Sequence, residues 1–367
     1  MAPPRSGVHL TLPTHLMKMI PMNITQSHVR HALATVSALA LGGALTACAA
    51  LSPSSQSASA TATGTTAADG RIQVAASFYP IQYLAQAIGG EHVDAAAVTP
   101  TNVEPHDYEL SPRDVTSLSG KAAILYVSGF QPSLDDAVAQ VSGPTVTDLA
   151  SAVNLVHHDG VSEDHDHGED HDHGEDHDHG EDEDGQESHD HDDEATEALD
   201  PHFWLDPVRM KAAASAVAQA LAAVDPDHAS DYEANLATLT DTLTTLDDSY
   251  TTGLAQCERT TFVTAHAAFG YLADRYHLTQ ASVSGIDPDA EPSPAEIAAI
   301  KTIVARTGTT TVFTEALLSP KTTQALAAET GTTTAVLDPV ESVPESGDYT
   351  EAMTTNLSQL RTALGCQ

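Results

Sequence analysis

Histidine and carboxylate side chains carry the strongest chemical signal in this sequence. Ten of the 20 histidines fall between residues 157 and 191, where His-Asp-His-Gly-Glu-Asp repeats three times in register at 165–170, 171–176 and 177–182. Neutral imidazole and carboxylate suit first-row divalent ions such as zinc, and a His-rich tract is a compositional sign of metal collection. The tract holds no aromatic residue, Lys or Arg, so it cannot bury enough apolar surface to offset its ordering entropy. A disordered loop over 157–199 is expected. A merely solvating acidic run is the alternative, although such a run needs no histidine.

Such a loop cannot form a selective site by itself, and three isolated histidines are better placed to do so. His106 lies in Asn102-Val103-Glu104-Pro105-His106-Asp107-Tyr108, His202 in Asp200-Pro201-His202-Phe203-Trp204-Leu205-Asp206-Pro207, and His266 two residues beyond a β-rich run ending at Thr264. Each sits in a polar or Pro-containing turn, beside a predicted strand end or at the equivalent position on the lobe edge, where parallel sheets bind ligands. A fourth ligand is expected from Leu337-Asp338-Pro339-Val340-Glu341, with Glu341 the first candidate and Asp338 the second. His277 follows a helix and reads as structural. Three imidazoles and one carboxylate make a nitrogen-rich set suited to four-coordinate Zn(II), whereas manganese prefers more oxygen. Four protein ligands leave no open position for a reactive water, which favours capture and release over hydrolysis.

The elements that must position these residues alternate between strand and helix. Strands are predicted at 72–78, 93–98, 122–127 and 145–147, and helices at 80–88, from 111–112 onward, and at 132–141. Asp206-Pro207 and Asp225-Pro226 each read as a helix start, with Asp capping and Pro in the first turn. The second of these helices carries Tyr232, Leu236, Leu239, Leu243, Leu246, Tyr250 and Leu254 at spacings of four and three, one apolar stripe long enough to cross a domain. Strands then recur at 260–264, 279–283, 310–314 and 334–337, with helices at 268–276, 294–305, 320–329 and 349–364. The expected fold is α/β: two lobes with parallel four-stranded sheets, joined by the long helix, with the metal site in the cleft between them.

The charge balance narrows the function. The chain carries a formal net charge of −38, and residues 157–200 hold 21 of its 52 acidic residues; the remainder still has 31 acidic against 14 basic residues. A body this acidic attracts cations and excludes nucleic acid as a partner. Before residue 48, Lys18 and Arg30 precede an apolar run that ends in Leu45-Thr46-Ala47-Cys48. This resembles a bacterial lipoprotein signal, making 1–47 the leader, Cys48 the lipidated residue and 48–70 a flexible Ala/Ser/Thr-rich tether; an ordinary secretory signal is the alternative. Cys257 and Cys366 are then the remaining pair, most simply a disulfide in an exported protein, with two free thiols as the alternative.

The segments Glu104-Pro105-His106-Asp107-Tyr108-Glu109-Leu110-Ser111-Pro112, Asp200-Pro201-His202-Phe203-Trp204-Leu205-Asp206-Pro207 and His266-Ala267-Ala268-Phe269-Gly270-Tyr271-Leu272 resemble the zinc-uptake solute-binding lipoproteins of bacterial ABC transporters. The resemblance runs from about Arg71 to the C-terminus. It implies two Rossmann-like lobes (71–226 with the inserted tract, and 256–367), a backbone helix over 227–255, and zinc held between the lobes by His106, His202 and His266. Glu, Asp or water fills the family's fourth position, and the loop bearing Glu341 looks like the Glu-bearing members. The implied setting is a monomer, lipid-anchored on the extracytoplasmic face of the membrane, that delivers zinc to an ABC permease. A manganese or adhesion-type binding protein of the same fold is one alternative. A secreted zinc hydrolase is the other, with Glu104 its only obvious general base and no His-Glu-x-x-His motif in the chain.

Overall fold

The computed structural model of the protein describes residues 70–158 and 199–367. The leader, Cys48, nearly all of the tether and the tract from 159 to 198 lie outside the described residues, and with them the expectations of cleavage, lipidation and a disordered loop.

The first sheet is built from β1 (Ile72–Ala76), β2 (Val93–Ala97), β3 (Ala123–Tyr126) and β4 (Thr145–Asp148), parallel throughout and ordered β2-β1-β3-β4. Helices α1 (Tyr79–Gly89), α2 (Pro112–Leu118), α3 (Pro132–Gln140) and the short α4 (Ala150–Val153) connect and follow these strands. Side chains alternate between faces along each strand. Val74 and Ala76 therefore join the core under α1, while Ala75 packs with Leu118, Leu134 and Ala137 under α2 and α3. Burial on both faces explains why β1 and β3 read as nearly continuous apolar runs.

Two long helices follow, α5 (Pro207–Val224) and α6 (Ala229–Gly253). Asp206 caps α5 as its sequence predicts, accepting the Val208 N–H at 2.8 Å. Asp225 does not cap. His228 Nδ1 and the Tyr232 hydroxyl take its Oδ2 at 2.8 and 2.6 Å, residues 226–228 form a 3-10 turn, and the α-helix starts only at Ala229. The second lobe repeats the first with β5 (Thr261–Thr264), α7 (Gly270–Arg275), β6 (Thr279–Ser282), α8 (Pro294–Thr307), β7 (Thr311–Thr314), α9 (Lys321–Thr330), β8 (Thr333–Val336) and α10 (Tyr349–Leu364). Its sheet is again parallel, ordered β6-β5-β7-β8.

One apolar core continues through both lobes. Val74, Ile81 and Trp204 on one side join Phe262, Phe313 and Tyr349 on the other through Leu239, Leu243 and Tyr250 of α6. Polar ties follow the same seam: Trp204 Nε1 donates to the Pro339 carbonyl at 2.7 Å, and Tyr349 Oη donates to the Trp204 carbonyl at 2.5 Å. Arg275 lies against Asp247 of α6 through Nε (2.7 Å) and Nη2 (2.5 Å), and its Nε is 3.4 Å from Asp206 at the start of α5. Cys257 and Cys366, bonded at 1.99 Å, bring the C-terminus back to the start of the second lobe.

Candidate metal centre

The loops beyond β2, β5 and β8, together with the turn before α5, converge on one point between the lobes. There His106, His202, His266 and Glu341 each offer a ligand atom within 4.8 Å of the others. Nε2 of His202 is 3.2 Å from that of His106 and 3.3 Å from that of His266. Glu341 Oε1 faces all three rings, 3.6 Å from His106, 3.4 Å from His202 and 3.8 Å from His266. His202, His266 and Glu341 are buried and His106 is half-buried. The structure thus gathers the four residues singled out from the sequence. Asp338 stands apart, accepting the Val340 N–H on Oδ1 at 2.8 Å, and His277 lies at the C-terminal end of α7 with φ 56°.

Each ring is aimed by what holds its other side. His202 Nδ1 lies 2.7 Å from Asp200 Oδ1, and that oxygen also accepts the His202 backbone N–H at 2.9 Å. His266 repeats the arrangement with Glu315: Nδ1 to Oε2 at 2.6 Å and backbone N–H to Oε1 at 3.0 Å. A carboxylate only accepts, so both rings carry hydrogen on Nδ1. That leaves Nε2 as the atom able to bind a cation. His106 sits edge-on against Phe130, ring centroids 4.6 Å apart, and its backbone N–H reaches Glu104 Oε1 at 3.1 Å.

The electrostatics follow from this packing. Burial would push His202 down, but the Asp200 carboxylate, helped by Glu341, outweighs it and raises the ring to about 9. Burial likewise opposes, and Glu315 and Glu341 override, at His266, which is raised. Burial dominates at His106 and lowers it. Glu341 is held well below the usual carboxylate range: against the cost of burial, the His106 and His202 contacts and the nearby His266 favour its anion. Burial and Glu341 push Glu104 up to about 7. A divalent cation competes with protons for the same Nε2 atoms.

Two features test whether this pocket suits a cation. Glu341 Oε1 is buried and its nearest imidazole nitrogen is 3.4 Å away, close enough to favour the anion but making no hydrogen bond among the described residues, which is costly for a buried carboxylate oxygen. Val340, which presents it, is fully buried with φ 59°. That left-handed conformation is uncommon for a β-branched residue and costs roughly 1–3 kcal/mol. A cation at the centre of the four atoms would satisfy the orphaned oxygen and the three imidazole lone pairs together.

Sequence reasoning missed Glu315, although it stands immediately after β7, at the same kind of strand end that singled out the histidines. It also missed His158, which was counted with the tract. The structure holds that ring 2.6 Å from Asp200 Oδ2 and 3.0 Å from Asp274 Oδ2.

Comparison with known proteins gives the same picture of the chain. The zinc-binding protein AdcA of Streptococcus pyogenes serotype M3 is 33% identical over 301 residues, which cover 80% of this chain and 56% of that protein. The chain therefore spans little more than half the length of that curated relative. The high-affinity zinc uptake system protein ZnuA of Bacillus subtilis is 30% identical over 303 residues, covering 80% of this chain and 88% of that one. Among solved structures, the Zn(II)-bound ZnuA-like domain of Streptococcus pneumoniae AdcA superposes with a TM-score of 0.62 at 26% identity, over 80% of this chain and 99% of that domain. The model of the ZnuA family, zinc-uptake complex component A periplasmic, matches residues 74–363, from within β1 to within α10. By that match the chain belongs to the ZnuA family.

Proposed function

We propose that this protein captures Zn(II) outside the cytoplasm and hands it to an ABC-type import permease, with His106, His202, His266 and Glu341 as the four ligands. The observation that carries this reading is the convergence of three Nε2 atoms on a buried carboxylate oxygen that has no other partner. Three nitrogens and one oxygen match zinc's preference for a four-coordinate, nitrogen-rich shell, and a manganese site would call for more oxygen. The relatives' names supply the process, zinc uptake, and the family is one of binding components, not of enzymes. Four protein ligands suit cargo that must be held and later released.

The reading extends to the parts outside the described residues. Cleavage before Cys48 and lipidation of that residue would anchor the protein to the outer face of the cell membrane, and 48–70 would be its tether. An oxidising exterior suits the Cys257–Cys366 bond. Residues 71–226 and 256–367 form the two lobes, with 227–255 as the connecting helix, and one monomer holds one ion. Titration calorimetry of the folded chain tests the core of the proposal. One tight zinc per protein is expected, lost in His106→Ala, His202→Ala and His266→Ala, with manganese binding more weakly. Tight zinc binding that survives all three substitutions would overturn the ligand set.

A further inference from the structure

His158 stands outside the four-residue cluster yet reaches it through a single carboxylate. Its Nδ1 lies 2.6 Å from Asp200 Oδ2, while Asp200 Oδ1 receives both the ring and the backbone N–H of His202. Asp200 is fully buried, so its two oxygens are divided between two histidines, one of them at the centre. On its far side, Nε2 of His158 is 3.0 Å from Asp274 Oδ2 on α7, in the second lobe. The ring is closely seated. It lies edge-on to Tyr271, centroids 4.5 Å apart at 88°, and the Tyr271 hydroxyl donates to the Asp200 carbonyl at 2.6 Å. Below it is Gly270, where an added Cβ would fall 2.4 Å from His158 Cγ and 2.9 Å from its Cβ. The first residue of α7 is therefore one at which a side chain would evict this imidazole.

We propose that His158 is a positioning residue for metal binding: it fixes Asp200 so that His202 presents Nε2 to the ion, and it ties that support to the second lobe through Asp274. The inference rests on the reading of His202 as a zinc ligand. Removing the ring leaves a buried carboxylate oxygen without its donor. Asp200 can then turn about its own side-chain bonds, and the hydrogen bond that aims His202 weakens. Partners of this kind behind a ligand typically contribute about 10–100-fold to metal affinity. The same geometry makes Gly270 part of the device, through the space it leaves.

The experiment is a zinc affinity measurement by chelator competition on the full chain carrying His158→Ala, His158→Asn or His158→Gln. The Asn amide nitrogen falls near the place of Nδ1 and can still donate to Asp200; the Gln amide falls nearer that of Nε2 and Asp274. Expected is a loss of about tenfold in the Ala and Gln variants, with the Asn variant restored toward the parent. Gly270→Ala should lower affinity like His158→Ala, and should add nothing in the His158→Ala background. Melting of each variant without zinc separates this from general destabilisation, which would track melting temperature and not the Asn/Gln distinction. Parent-like affinity in His158→Ala, equal behaviour of Asn and Gln, or a full additive effect of Gly270→Ala would each overturn the inference. His202→Ala in the same assay tests the ligand reading itself: if that variant binds like the parent, that reading fails and this inference falls with it.

Discussion

His202 and His266 are seated by the same device from opposite lobes: a buried carboxylate takes both the ring Nδ1–H and the backbone N–H of one histidine. Asp200 takes both on Oδ1, whereas Glu315 takes one on each oxygen, so at His266 the partner must accept at both of its atoms. Glu315→Gln keeps the size and removes one acceptor. Its amide NH2 must face either the backbone N–H, which cannot pair with it, or Nδ1, which would then accept and push the ring hydrogen onto Nε2. A fall in zinc affinity of about 10–100-fold is expected, measured by chelator competition; affinity within about twofold of the parent would show that Glu315 does not aim His266. Much of this scale was legible in the sequence. His106 and His266 stand in strand-end turns, His202 in the Pro-containing turn before α5, and the sequence favours Glu341 over Asp338. The supporting residues were harder to see: Glu315 obeys the same strand-end rule but no motif marks it, and the histidine repeats concealed that His158 is ordered against Asp200.

The long α6 was legible as an element because its stripe repeats every three or four residues, and Tyr232, Leu239, Leu243, Leu246 and Tyr250 are indeed buried. Its first turn departs from that expectation because two side chains, three and seven residues further along, take the Asp225 carboxylate in place of a local backbone N–H. What local periodicity could not give is that the core on which α6 lies is common to both lobes, since that depends on contacts such as Trp204 with Pro339, 135 residues apart. A shared core predicts shared unfolding. Leu243→Ala removes a fully buried side chain and should cost roughly 2–5 kcal/mol. In urea, the transition followed by Trp204, the only tryptophan, should move to lower denaturant together with the loss of hydrogen-exchange protection in β5. Two separated transitions, with β5 protection unchanged by the substitution, would mean that the lobes unfold independently and that α6 merely links them.

Both ends of the most histidine-rich stretch of the chain meet beside the carboxylate that supports His202. Before the tract the described chain ends at His158 and resumes at Leu199, and the Asp200 N–H donates to the Val156 carbonyl at 2.9 Å. The insertion therefore departs and returns at one closed point, adjoining the carboxylate that aims His202. Closure at Val156 holds the two ends together, so a shortened connection should leave the quartet in place. Residues 157–200 carry 21 acidic side chains without a compensating base. A field of that sign raises the local cation concentration, and the effect weakens with salt. Removing 160–198 while keeping His158 and Asp200 should then leave equilibrium zinc affinity within about threefold of the parent, consistent with tight binding resting on the quartet. Loading from a low free zinc concentration should slow, and the difference should narrow as salt screens the field. Stopped-flow transfer from a chelator, run at low and high ionic strength, reads both quantities. Equal loading rates at every salt concentration would leave the tract without a part in capture, whereas a collapse of equilibrium affinity would move the principal site out of the cleft and into the tract.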